Sequence, residues 1–181
     1  NILNEYSFNK IISLLNNIEN SNVIFPMGYK TQEILNKSGI LLNNNVKVLD
    51  PIGYLEFMFL LKNSKFVATD SGTVVEEACI LNVPSIQMRY STERPEVYDV
   101  KASIKFDPTK SSTNNEDILS SVNNLKRGWD NPFGDGNSSE LIVSDLIELS
   151  KTNNFKKHNP SDYSFDTSRS FKEWIEYYFI L

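Results

Sequence analysis

Apolar and polar residues follow two rhythms along this chain, the three-to-four-residue spacing of helices and the short unbroken runs of buried strands. Phe8, Ile11, Ile12, Leu15 and Ile18 recur at helical spacing and predict an amphipathic helix over 5–20. Val23-Ile24-Phe25, stopped by Pro26, reads as a strand. A short helix is expected over 31–38, with Thr31 as cap and Gly39 as stop. Val46, Val48 and Leu49 mark a second strand, closed by Asp50-Pro51. The stretch 54–62 is helical and almost wholly apolar. Further strands are expected at 66–68, 85–88 and 103–106, and further helices at 74–81, 118–125 and 138–149, with a polar loop over 110–116.

Short strands alternating with helices predict an α/β fold, a three-layer Rossmann-like domain with a parallel sheet and helices on both faces. Such sheets bind ligands in the crevice at the carboxyl ends of their strands. Here those ends are 26–29, 50–53, 70–73 and 89–94. Topology alone therefore collects Ser71, Gly72, Thr73 and Arg94 at one edge.

The centre of that edge is Thr69-Asp-Ser-Gly-Thr-Val-Val-Glu-Glu77, a tight polar turn between strand and helix. A helix start offers free N–H groups and the positive end of a dipole, which suits an anion. Gly72 permits close backbone approach, and Ser71 and Thr73 add hydroxyls. Glu77, about one turn into the helix, is placed to accept hydrogen bonds from the hydroxyls of a ribose. A second reading needs no ligand: Thr73, with Glu76 three residues on, also forms a capping box. Arg94 has two readings as well. Before Pro95 it is presented for bidentate contact with a phosphate, and between Glu93 and Glu96 it is placed for a surface ion pair. Phe57 is either core or a stacking surface for a base. Asn131-Pro-Phe-Gly-Asp-Gly136 is a turn cluster, either a plain loop or a closing element of the crevice.

The 181 residues suit one domain with an appendage, with a boundary expected near residue 150. Beyond it, 151–181 reads as a polar linker holding His158, then an aromatic helix over 168–181 capped by Asp166-Thr167. A net charge of −5 and a pI near 5.0 argue against a nucleic-acid surface. No apolar run reaches the length of a membrane span, and no signal peptide opens the chain. One cysteine, Cys79, and one histidine give neither a disulfide nor a metal cluster, and no metal or cofactor is expected. Cys79 lies among apolar neighbours and reads as a buried structural thiol in a reducing, cytoplasmic compartment. The chain opens on Asn1-Ile2-Leu3 without an initiator Met, which reads as a cut inside a longer protein.

Four stretches in this order resemble the non-hydrolysing UDP-N-acetylglucosamine 2-epimerase family. They are Asp50-Pro-Ile-Gly-Tyr-Leu-Glu-Phe57, Thr69 to Ala78, Thr92-Glu-Arg-Pro-Glu96 and Asn131 to Gly136, and the resemblance runs from near the chain start to about residue 150. It implies the C-terminal, nucleotide-binding half of a glycosyltransferase-B type fold. It further implies that Ser71, Gly72 and Thr73 hold a diphosphate and Glu77 the ribose. Phe57 and the backbone near Ile52 would contact uracil, and Arg94 would reach the phosphates. In the family, UDP is eliminated from the sugar to leave a glycal and is added back with C2 inverted, in bacteria for surface polysaccharide synthesis. The proton-moving residues lie mainly in an N-terminal domain, plus a His-Arg-x-Glu-Asn stretch of which Asn1 would be the end. No catalytic residue is therefore expected in this chain. The implied partners are a UDP-sugar, the N-terminal domain and a second copy in a homodimer, and 168–181 would pack back on that N-terminal domain.

Two departures bear on substrate and regulation. Ser71-Gly72-Thr73 stands where Ser-Gly-Gly is common; Ser-Gly-Thr occurs in relatives acting on UDP-uronic acids or 6-deoxy sugars. Pro26-Met27-Gly28 lacks the nearby histidine that in some bacterial members helps bind an activating UDP-sugar. Three alternatives stand beside the epimerase reading: a hydrolysing epimerase, a glycosyltransferase, and a non-catalytic nucleotide-binding domain.

Overall fold

The computed structural model describes residues 4–151. The expectations for His158, for the cap at 166–167 and for the helix 168–181 fall outside them. Contacts divide the chain into two units, Asn1–Asp135 and Gly136–Leu181.

The first unit begins with α1 (Glu5–Asn16), capped by Asn4, whose side chain accepts from the Ser7 N–H at 3.0 Å. It is shorter than its apolar pattern, because Asn17 closes the helix and Ile18 packs from the turn beyond. Strand β1 (Val23–Pro26) runs parallel to β2 (Val46–Leu49), with Val23 opposite Val46. Between them lies α2 (Tyr29–Ser38). It starts from Gly28, so Thr31 is inside the helix and is not its cap. The stop is as expected: Gly39 has φ 67°, a left-handed C-cap that glycine adopts without Cβ strain. Next come α3 (Tyr54–Lys62), β3 (Val67–Thr69), α4 (Gly72–Ile80) and β4 (Ser85–Gln87). A single-turn α5 (Glu96–Asp99) leads to β5 (Ser103–Lys105) and α6 (Asn115–Asn123).

All strands are parallel, but they form two ladders, β1-β2 and β3-β4-β5, where one sheet was expected. An apolar cavity of about 440 Å³ separates them, bordered by 23–26 of β1 and by 66–68 at β3. Ile11 and Leu15 of α1 and Phe57, Leu60 and Leu61 of α3 also line that gap. That gap lies where a β1–β3 ladder would run. Helix α1 bridges the ladders. Its Ile11 and Leu14 pack with Ile86, Met88, Phe106 and Val122, while Phe8, Ile12 and Leu15 pack near Val23, Phe25, Ile34 and Leu35. On the opposite face Val75 and Cys79 of α4 meet Val97 and Ala102, and Ala78 meets Leu61 and Val83. Strand residues alternate accordingly: Ala68 and Ile86 face α1, whereas Val67 faces α3 and α4. The result is three layers, helix–strand–helix. Burying these side chains, each contributing roughly 1.5–3 kcal/mol, is what holds the layers together.

The described part of the second unit contains α7 (Ser138–Lys151), which is amphipathic in sequence. Among the described residues no helix is long and apolar enough to cross a membrane.

Candidate functional site

The loops after β3 and β4 build the candidate site around the start of α4. Ser71 is extended, at φ −87° and ψ 126°, and its Oγ accepts from the Val74 N–H at 3.4 Å. Ser71 is therefore the N-cap, which corrects the capping box assigned to Thr73 and Glu76. Thr73 is already helical and exposed in the first turn. The Ser71 N–H donates to Thr69 Oγ1 at 3.1 Å, which fixes the turn as the strand ends. With Val74 capped and the Val75 N–H bonded to Ser71 O at 3.3 Å, Gly72 and Thr73 supply the open donors of the first turn.

The loop after β4 is held from below. Gln87, 1% exposed, donates from Nε2 to Thr92 Oγ1 at 2.9 Å and accepts from the Tyr98 hydroxyl at Oε1. Burial pushes the Tyr98 phenol up to about 12, with the Arg89 guanidinium pulling the other way. Thr92 Oγ1 in turn accepts from the Arg94 N–H at 3.0 Å. This relay places Arg94 against α4, where its Nε donates to Glu76 Oε1. The ion-pair reading of Arg94 is thus realised with Glu76, not with Glu93 or Glu96.

Glu93 instead pairs with Arg89, whose Nη1 lies 3.0 Å from Oε1 and 2.9 Å from Oε2. The Glu93 carboxyl is held below its ordinary range by a backbone hydrogen bond within Glu93 and by Arg89. It sits directly over the glycine of the turn: a Cβ built on Gly72 would fall 2.1 Å from Glu93 Oε1.

Across the crevice, Glu77 Oε1 accepts from the Tyr54 hydroxyl at 3.0 Å, which pushes that phenol up. This ties the first residue of α3 to the ribose candidate. Ile52 lines an open depression of about 660 Å³ with Pro51, Gly53, Leu55, Glu56 and Phe59. Phe57 is half-buried and packs beside the Leu61–Ala78–Val83 cluster. The turn starting at Asn131 bonds to itself, Asn131 Nδ2 to Gly134 O at 2.7 Å, and Phe133 and Trp129 pack against the α4–α5 layer. Cys79 is buried, and desolvation pushes its thiol up. Among the described residues no group of three or more His, Cys, Asp or Glu side chains is placed to hold a metal.

The structure therefore gathers Ser71, Gly72, Thr73, Glu77 and Arg94 around the first turns of α4, with Ile52 and Phe57 on the neighbouring loop and helix. Four partners were not singled out by sequence. Gln87 and Tyr98 are ordinary strand and helix residues until folding joins them. Tyr54 is 23 residues from Glu77. Only the Arg89–Glu93 pair had a local signal, opposite charges four apart.

Parallel strands, flanking helices and polar loops at the strand ends define a Rossmann-like domain, the C-terminal half of a glycosyltransferase-B type fold. Residues 1–147 match the family model described as UDP-N-acetylglucosamine 2-epimerase, and the chain belongs to that family. A UDP-N-acetylglucosamine 2-epimerase of Methanococcus maripaludis is 43% identical over 145 residues, which are 75% of this chain and 38% of that protein. Its counterpart from Methanocaldococcus jannaschii is 42% identical over 128 residues, 67% of this chain and 34% of that protein. The crystal structure of the M. jannaschii enzyme in complex with UDP-GlcNAc and UDP superposes with a TM-score of 0.70 at 37% identity, covering 82% of this chain and 42% of that one. The chain thus spans less than half the length of these relatives.

Proposed function

We propose that this chain is the UDP-binding half of a non-hydrolysing UDP-N-acetylglucosamine 2-epimerase, which interconverts UDP-GlcNAc and UDP-ManNAc. The observation that carries the reading is the constellation at the start of α4, with open donors at Gly72 and Thr73 and with Arg94 and Glu77 alongside, in a chain of this family. The complex of the M. jannaschii relative with UDP-GlcNAc and UDP supports the ligand class.

In the proposed reaction the proton at C2 of the sugar is removed, the C1–O bond breaks, and UDP departs with the bonding pair. UDP then adds back to the resulting glycal at C1 while C2 takes a proton on the opposite face. This half of the protein grips UDP throughout. The α4 N-terminus and Arg94 face the diphosphate, where negative charge grows as the C1–O bond breaks, and fixed donors there lower the barrier. Glu77, oriented by Tyr54, accepts from the ribose hydroxyls. The proton-moving groups lie mainly in the N-terminal domain, with the rest in a His-Arg-x-Glu-Asn stretch of which this chain holds at most Asn1, so the chain alone binds and does not epimerise. The intact protein is a cytoplasmic homodimer serving bacterial surface polysaccharide synthesis and needs no metal or cofactor.

Calorimetry with the intact protein tests the binding role: UDP binds, uridine binds far more weakly, and Glu77→Ala and Arg94→Ala each weaken UDP. Loss of neither affinity in the two variants would sink the assignment. The Ser71-Gly72-Thr73 turn, in place of Ser-Gly-Gly, supports a second reading, an epimerase for a UDP-uronic acid or 6-deoxy sugar. Product analysis with UDP-GlcNAc and such sugars side by side decides between them.

A further inference from the structure

We propose that Glu93 is an internal occupant of the phosphate seat and that Arg89 is a further phosphate-binding residue, so that UDP binds by exchanging its diphosphate for a carboxylate. The inference rests on the UDP-binding reading and adds to it a competitor and a partner. Three observations converge on one spot. The Glu93 carboxylate lies over Gly72, so close that Oε1 would stand 2.1 Å from any Cβ there. Arg89 Nη1 grips both carboxylate oxygens, at 3.0 and 2.9 Å, and itself lies 3.4 Å from the same built atom. Gly72 opens α4, whose first-turn N–H groups have no acceptor within the helix.

An anion, a helix start and a guanidinium thus already form the arrangement expected of bound phosphate, with the carboxylate as the anion. A diphosphate cannot share that volume with Glu93, and two anions there would repel. Glu93 has somewhere to go: its side chain is 51% exposed and is carried on a loop. Arg89, 29% exposed and two residues beyond β4 at the base of the same loop, passes from carboxylate to phosphate. Arg94 is differently occupied, on Glu76 of α4, and need not leave α4 to reach the same ligand.

The exchange makes a distinctive prediction for the conservative variant Glu93→Gln, which keeps the side chain's size and loses its charge. Removing an ordinary site residue weakens binding; removing a competitor strengthens it. In the intact protein, Glu93→Gln should bind UDP about three- to fivefold more tightly, the range that an exposed ion pair of up to about 1 kcal/mol allows. Uridine, which has no phosphate, should bind as it does to the wild type. Arg89→Gln should weaken UDP by tenfold or more and leave uridine unchanged. Urea midpoints of both variants show whether they fold as the wild type does. If the wild type binds UDP while Glu93→Gln binds it equally or more weakly, the exchange is refuted and the UDP site stands. An Arg89→Gln affinity equal to wild type removes Arg89 from the site. If the intact wild type binds no UDP, the functional reading fails and the exchange with it.

Discussion

Gly72→Ala separates folding from binding at a single methyl group. Gly72 is the first residue of α4, so its backbone already suits alanine, and helix propensity favours the change by up to about 1 kcal/mol. The obstacle is steric: the new Cβ would stand 2.1 Å from Glu93 Oε1 and 3.0 Å from its Cδ. Both are atoms at the far end of a half-exposed side chain, which can rotate into water. Doing so breaks the pair with Arg89, an exposed bridge costing at most about 1 kcal/mol. The two effects nearly cancel, so the urea-derived stability should stay within about 1 kcal/mol of wild type. Binding is offset only by the roughly three- to fivefold that freeing the seat from Glu93 contributes. The methyl holds a phosphate away from the Gly72 and Thr73 donors, and each charge-assisted hydrogen bond lost costs roughly 1.5–3 kcal/mol. UDP affinity measured by calorimetry should fall by at least about tenfold. An unchanged UDP affinity would refute the placement of the diphosphate. A stability loss beyond about 2 kcal/mol would show that Glu93 cannot yield.

Three further perturbations test the same structure. Ser71→Ala should cost about 1 kcal/mol in urea denaturation through loss of the cap on Val74, while Thr73→Ala should be nearly silent in stability; the reverse order would restore Thr73 as the cap. Gln87→Ala should destabilise by roughly 1–3 kcal/mol, because the Tyr98 hydroxyl loses its acceptor, and should also weaken UDP by releasing Thr92 and with it Arg94. Burial pushes the Asp107 carboxyl up, but the Thr109 hydroxyl and N–H with Lys110 and Lys105 more than offset it and hold it below its ordinary value. Its stabilisation is therefore full above the ordinary carboxylate range and is lost as pH falls through the lowered value, so an acid titration of stability should be shallower in Asp107→Asn.

Legibility followed the range of the interactions. Helix 54–62 was readable to the residue because its apolar run is bounded by Gly53 and Asn63. The start of α4 was misplaced by two residues, since Ser71 and Thr73 flank one glycine and both carry a hydroxyl. Only the extended backbone at Ser71 separates cap from first turn. Thr31 misled in the same way, because nothing in Gly28-Tyr29-Lys30 carries a helical pattern. The α5 turn has four residues, too few to show a period. The gap between the ladders was invisible because no strand residue encodes which neighbour it pairs with; that follows from how the helices seat against the strands, with Phe57, Leu60 and Leu61 of α3 lining the gap. At the site, the acidic and basic residues were visible, but their pairing was not. Arg94 reaches Glu76 across 18 positions of sequence, and only the folded loop selects it over its two adjacent glutamates.

The bridging position of α1 has a consequence for the order of events during synthesis. A twelve-residue helix is marginal alone in water. Its surroundings are also late to arrive: Leu14 packs with Ile86, Phe106 and Val122, and Ser13 Oγ accepts from Asn115 Nδ2 across 102 positions. At about 5–20 residues per second, the ribosome takes on the order of 5–20 s to deliver those partners. During that interval the apolar stripe of the helix lacks Ile86, Phe106 and Val122 on its β4 side. Folding of this unit is therefore completed at its end, when β5 and α6 close over a helix made about a hundred residues before them.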